Sequence, residues 1–260
     1  MNQDSQYNIF KACIEHSISR LGMTKTICDP YPHFWVDEIL SSAIYDRLLT
    51  ELPDSSLYAD LTTKTDYQNR AICELRSENI DLLSPSSAEL WYGIRQFLAS
   101  EKLKRCIFEK LARGFARRFN IAEEEAANIP AFVRPALYQE LKGYSIAPHP
   151  DTRRKLATVQ FALTDDPGQV DLGTSIYQLS VNPKHLLQTP RGFCEVKRYP
   201  FSKNSVFAFS VVNTISMKSW HGRAALPDDG GVRNTLLQVY FAHAKDGNQE
   251  IYEEETSRAA

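Results

Sequence analysis

The residues of this 260-residue chain best placed to do chemistry are His149 and Asp151, which flank a proline at the end of the run YSIAPH. In an extended segment, residues two apart point the same way, so an imidazole and a carboxylate at this spacing can grip one ion. A third ligand must come from elsewhere in the fold, and His221 in SWHGR is the best candidate. Two imidazoles and one carboxylate on one face of a metal leave the opposite positions open, the arrangement associated with non-haem Fe(II) oxygenases. The same donors with a water would also suit a hydrolytic Zn2+ site, so both metals stay open at this point. The other histidines read as surface or packing residues: His16 on an amphipathic helix, His33 in a loop after Pro32, His185 in a proline-containing connection, and His243 at the end of an apolar strand.

Twelve positions after His221 comes Arg233-Asn234-Thr235, opening another apolar run. A strand puts Arg233 and Thr235 on one side, where a guanidinium fork and a hydroxyl can converge on a carboxylate. A lone arginine here would be expected to pair with Asp228 or Asp229; its place just after the third candidate ligand favours the anchor instead. Arg134, Tyr138, Gln160, Tyr177 and Trp220 are candidate pocket residues, because small-ligand sites combine aromatic walls with a few placed polar groups. For Tyr177 and Trp220, ordinary packing is an equal alternative.

Positioning these groups requires a change of architecture along the chain. Before about residue 131 the pattern is mostly helical. Tyr7, Phe10, Ile14, Ile18 and Leu21 recur at helix spacing, as do Ile39, Leu40, Ile44, Leu48 and Leu49. Ser86 and Glu89 have the form of a capping box, KLKRCIFEKLARGFARRF reads as a continuing basic amphipathic helix, and NIAEEEAANIP reads as a linker. From 131 to 243 the runs are short, apolar or alternating: FVRPALYQE, YSIAPH, KLATVQFAL, GTSIYQLS, FCEVKRY, SVFAFS, the stretch before SWHG, and NTLLQVYFAH. Eight such strands predict a jelly roll or barrel, with no glycine-rich nucleotide motif to support a doubly wound fold. The acidic stretch 244–260 reads as a frayed tail.

Composition narrows the function classes. The formal net charge of -2 gives no electrostatic case for a nucleic-acid partner. No apolar run approaches the ~20 residues of a membrane span, and the first residues lack a secretory pattern, so a cytoplasmic protein is expected. Five scattered cysteines without a CxxC pair read as reduced thiols.

Taken in order, these residues resemble the 2-oxoglutarate and Fe(II)-dependent dioxygenases, in particular the prolyl-4-hydroxylase-like branch. The resemblance covers roughly the second half plus an entry segment. DPYPHFWVDEILSSAIYDRLLTELP is similar to the family's opening strand and helix, KLATVQFALTDD to the strand after its H-x-D motif, and LGTSIYQ to its Gly-Thr turn. SWHGR and RNT match its distal histidine and its R-x-[ST] anchor. The resemblance implies one domain over 1–260, with an α+β fold: a double-stranded β-helix (jelly-roll, cupin-like) barrel and a helical N-terminal half packed against it. It makes His149, Asp151 and His221 the Fe(II) ligands and Arg233 with Thr235 the 2-oxoglutarate anchor. Relatives often place a co-substrate tyrosine where this chain has Phe161 and Ala162, so Tyr138 or Gln160 would take that part. The implied reaction consumes O2 and 2-oxoglutarate and oxidises an unactivated C-H bond of a small molecule such as an amino acid, or of a protein- or carrier-bound residue. A carboxylate at Asp151 favours hydroxylation over halogenation, and Val239, where nucleic-acid demethylases carry a second arginine, argues against nucleic acid. A zinc hydrolase and a non-catalytic cupin-like binding protein are the competing readings, and nothing in the sequence fixes the oligomeric state.

Overall fold

The computed structural model describes residues 3–61 and 69–252. The α-helices are α1 (Gln3–Met23), α2 (Ser42–Thr50), α3 (Ser77–Ile80), α4 (Pro85–Ala99), α5 (Glu101–Lys110), α6 (Ala112–Phe119) and α7 (Pro183–Leu187), with a further helical turn at 249–252. The strands are β1 (His33–Val36), β2 (Ala59–Asp60), β3 (Arg70–Glu74), β4 (Phe132–Glu140), β5 (Ile146–His149) and β6 (Lys155–Leu163). They continue with β7 (Ser175–Leu179), β8 (Phe193–Arg198), β9 (Val206–Ser210), β10 (His221–Arg223) and β11 (Arg233–Phe241). A seven-stranded sheet runs β1-β9-β6-β11-β4-β3-β2, a four-stranded sheet runs β5-β10-β7-β8, and the described pairings are antiparallel. The mixture of helices and antiparallel sheet matches the expected class, while the two sheets are separate ladders and do not close into one.

Period-two alternation decides what each face of the large sheet meets. On β9, Val206 and Ala208 join the helices in the main core, whereas Phe207 and Phe209 point the other way, into a second cluster with Tyr31, Ile176 and Tyr199. On β6, Val159, Phe161 and Leu163 face the helices, leaving Thr158 and Gln160 on the opposite side. On β11, Leu236 and Tyr240 face the helices, and Thr235 and Leu237 face a cavity. The helical side is anchored by α4, whose Leu90, Trp91, Ile94, Phe97 and Leu98 are all buried. That layer holds the sheet rigid while its polar face carries the site.

Several expectations need correction. The first half also supplies β1, β2 and β3 to the large sheet, because its short alternating runs find edge partners in later strands. His33 opens β1, fully buried, with Nδ1 2.6 Å from Tyr31 O and Nε2 2.7 Å from the Tyr199 hydroxyl. The cap of α4 is Ser84, which accepts from the Ser87 amide ahead of Pro85; Ser86 and Glu89 lie inside the helix. The basic helix is two helices, α5 and α6, broken at Leu111, and α6 ends at Asn120 in the left-handed region (φ 55°). The segment read as a linker forms a 3-10 turn, Glu123–Asn128, with Ala126 and Ala127 buried. The strand placed before SWHG lies instead at His221–Arg223. The start of the tail is docked: Asn248 and Ile251 are buried, and Glu250 accepts from Arg95 and from the Ser77 amide. The rest of that tail, 253–260, lies outside the described residues.

Candidate metal centre

His149 ends β5 and His221 opens β10, and the two stand directly opposite each other in the antiparallel ladder. Their rings lie 4.4 Å apart. The ladder can close this tightly because Gly222 follows His221: a Cβ there would lie 2.6 Å from Ile146 O and 3.1 Å from Pro148 N. Asp151, two residues past His149, is buried between them, with Oδ1 3.8 Å from His149 Nε2 and Oδ2 3.9 Å from His221 Nε2. One ligand atom from each residue falls within 4.8 Å of the others.

The imidazoles are oriented for a cation. His149 Nδ1 lies 3.0 Å from Ala147 O, and His221 Nδ1 lies 2.9 Å from Ser219 O. A carbonyl can only accept, so both Nδ1 atoms carry a proton and it is the Nε2 atoms that face Asp151. Burial pushes His221 down to about 4, against the pull of Asp151, which keeps the ring neutral. Burial also opposes ionisation of Asp151, but Lys155 and the two histidines hold it at about 2. Lys155 Nζ donates to Asp151 Oδ1 at 2.6 Å, and Thr158 Oγ1 donates to Oδ2 at 3.0 Å. An anionic carboxylate facing two correctly turned imidazoles is a donor set that fits a divalent metal.

The trio opens onto a cavity between the sheets that Thr235 lines, while Arg233 lines a second cavity, with Phe201, that shares Gln160 and Thr174 with the first. Glu140, at the end of β4 and opposite Arg233 in the ladder, is buried beneath three arginines. Arg223 and Arg233 both donate to its Oε2, and Arg70 Nη2 lies 3.1 Å from its Oε1. Burial raises the Glu140 pKa, yet Arg223, Arg233 and Arg70 together hold it at about 2. Arg233 also donates to Thr235 Oγ1 at 2.7 Å, and its guanidinium lies 3.7 Å from the centre of the Phe201 ring. Burial, with Arg223 adding to it, lowers Arg233 to about 9 against the pull of Glu140, so it stays cationic at neutral pH.

The other sequence candidates divide. Gln160 lines the cavity, with Oε1 accepting from Thr174 Oγ1 at 2.7 Å. Tyr138 lies across the ladder from Thr235, with Arg70 stacked 4.0 Å over its ring. Tyr177 and Trp220 both pack edge-on against Phe193, in keeping with their packing alternative. Arg134 sits toward the opposite end of β4 from Glu140 and pairs with Glu74 of β3; like Tyr138, Tyr177 and Trp220, it does not line the cavity. Sequence reasoning missed Arg70, Glu140, Lys155, Thr158 and Arg223, all of which line the cavity. For Glu140 and Arg223 the signal was present, since each lies two residues from a residue already singled out, Tyr138 and His221. For Arg70 there was none, because its place depends on β3 pairing with β4.

No protein-family model matches the chain, and no curated protein sequence matches it. Solved structures do resemble it at low identity. A prolyl-4-hydroxylase from Pseudomonas putida aligns at 11% identity over 88% of this chain and 99% of its own, with a TM-score of 0.48. The non-heme alpha ketoglutarate dependent epimerase SnoN of nogalamycin biosynthesis aligns at 13% over 89% and 83%, with a TM-score of 0.46. HygX from Streptomyces hygroscopicus, solved with nickel, 2-oxoglutarate and hygromycin B, aligns at 10% over 93% and 87%, also at 0.46. Among the described residues no helix is long and apolar enough to cross a membrane.

Proposed function

We propose that the chain is a single-domain Fe(II)- and 2-oxoglutarate-dependent oxygenase whose two sheets are the halves of a double-stranded β-helix, or jelly roll. The observation that carries this reading is the convergence of His149 Nε2, Asp151 and His221 Nε2 at the mouth of a cavity walled by arginines. A zinc hydrolase has no evident need for that wall. An Fe(II) ion held by these three residues would supply open positions for a 2-oxo acid and O2 and the oxidising power to break an unactivated C-H bond.

The residues then have defined tasks. Asp151 supplies the anionic ligand, and the Ala147 and Ser219 carbonyls fix the imidazole tautomers. Arg233, made rigid by Phe201 and Thr235, holds the far carboxylate of 2-oxoglutarate through charge-assisted hydrogen bonds. Gln160 lines the cavity beside that position, and Tyr138 lies across the ladder from Thr235. Overall, substrate C-H, O2 and 2-oxoglutarate become substrate C-OH, succinate and CO2. A small metabolite is the favoured substrate, since side chains from both sheets line a concave cavity.

Anaerobic reconstitution with Fe(II), followed by exposure to air and 2-oxoglutarate with a broad substrate panel, tests the reading. Succinate should form with the wild type and fall to background with Arg233→Ala. Equal succinate from both, together with hydrolysis supported by Zn2+ alone, would overturn it.

A further inference from the structure

We propose that the substrate of this site carries an anionic group such as a carboxylate, recognised by Arg223 together with Arg70. The inference rests on the oxygenase reading and adds the substrate class to it. Among the described residues, the charged groups in and beside the cavity are Arg70, Lys155, Arg223 and Arg233 against Glu140 and Asp151. Four positive charges against two negative leave an excess of two. A divalent metal adds two more, and dianionic 2-oxoglutarate removes two, so the loaded site keeps the same excess. A neutral substrate that displaces water from this cavity would leave those charges buried without compensation, which is costly; an anionic one compensates them.

The geometry says which arginines are available for it. Arg233 donates to Thr235 and Glu140 and stacks on Phe201, and its buried Nε-H also lacks a partner, but it lines a second cavity with Phe201 and not the one at the metal. Arg223, two residues past His221 in β10, shares Glu140 with Arg233 but, with Arg70, lines the same cavity as His149 and Asp151. Its Nη1 donates to Glu140 and its Nη2 lies 3.4 Å from Thr174 Oγ1, but its buried Nε-H has no hydrogen-bond partner. A guanidinium buried with a donor unused is poised for an acceptor that arrives from outside. Arg70 lies beside it on the other side of Glu140, held flat over the Tyr138 ring.

The test is calorimetry on the anaerobic enzyme loaded with Fe(II) and 2-oxoglutarate, titrated with a panel of small carboxylic acids, each beside its own primary amide. In the wild type some acids should bind at least about tenfold tighter than their amides, the scale of one or two hydrogen bonds to a charged group. Arg223→Gln should abolish that preference while leaving the 2-oxoglutarate affinity within about twofold, and Arg223→Lys, which keeps the charge, should restore part of it. Arg70→Gln should also weaken acid binding, and carries the test if Arg223→Gln does not fold. The proposal is overturned if no acid binds better than its amide. It is equally overturned if Arg223→Gln weakens 2-oxoglutarate as much as Arg233→Gln does, because Arg223 would then serve the co-substrate. Failure of the oxygenase reading has a different signature: the metal-loaded wild type would not bind 2-oxoglutarate at all.

Discussion

Glu140→Gln keeps the side-chain shape and removes the one carboxylate shared by Arg70, Arg223 and Arg233. Burial opposes ionisation of Glu140, but the three guanidiniums bring its pKa from 4.5 to about 2. At about 1.4 kcal/mol per tenfold change in proton affinity, that drop corresponds to roughly 3 kcal/mol of folded-state stability at neutral pH. Removing one partner of a buried ion pair costs a similar amount, about 3–5 kcal/mol, because the remaining charges lose their compensation. A carboxyl with a depressed folded pKa stabilises fully above its unfolded value, and the contribution is lost as the pH falls. For Glu140 the loss runs from 4.5 down to about 2. Urea unfolding of wild type and variant, at neutral pH and through that acid window, measures both effects. The variant should be less stable at neutral pH by roughly 3 kcal/mol, and the gap should close as the pH approaches 2. Other acids titrate in the same window, so the difference between the two proteins isolates Glu140. Added phosphate should stabilise the variant more than the wild type, since Arg223 and Arg233 have then lost the carboxylate they share. Equal stability at neutral pH with parallel acid limbs would refute the claim that Glu140 holds the arginine cluster together.

Three further outcomes follow from the geometry. Gly222→Ala should separate β10 from β5, because the added Cβ falls 2.6 Å from Ile146 O, and should lower divalent-metal affinity about tenfold or more in a chelator competition; unchanged affinity would mean that the ladder does not set the histidine spacing. Phe201→Ala removes the ring beneath Arg233 and should weaken 2-oxoglutarate binding by roughly threefold to thirtyfold in calorimetry, the range of a cation–π contact; an unaltered affinity would show that Thr235 and Glu140 suffice to position the guanidinium. Lys155→Met removes an ammonium 2.6 Å from Asp151 Oδ1 and should raise metal affinity by roughly tenfold, because the lysine repels a cation at that place; weaker binding would mean that the lysine's main effect is to orient the carboxylate.

Local pattern made much of the site legible. The one-residue gap between His149 and Asp151, and the period-two relation of Arg233 to Thr235, are properties of an extended chain and need no tertiary information. The same alternation placed β4, β6 and β11 within a residue or so of their positions. What stayed hidden depended on long-range pairing. Arg70 reaches the cavity only because β3 adds to the edge of β4, and the strand at His221–Arg223 is too short to carry a pattern of its own. The pairing of Arg134 was hidden for a related reason: alternation fixed its face of β4, but its partner Glu74 lies on a strand that the sequence did not announce. The helical breaks were missed because Leu111 continues the apolar stripe through the point where α5 gives way to α6.

The central claim is that His149, Asp151 and His221 hold a metal that is needed for 2-oxoglutarate to bind. Anaerobic titration of 2-oxoglutarate into the protein, with and without one equivalent of Fe(II), tests this most directly, followed by the visible charge-transfer absorption that a 2-oxo acid chelated to Fe(II) produces. The account predicts one metal per chain, binding and absorption only when Fe(II) is present, and loss of both in Asp151→Ala and His221→Ala. Equal binding of 2-oxoglutarate without metal, or undiminished absorption in those variants, would contradict it.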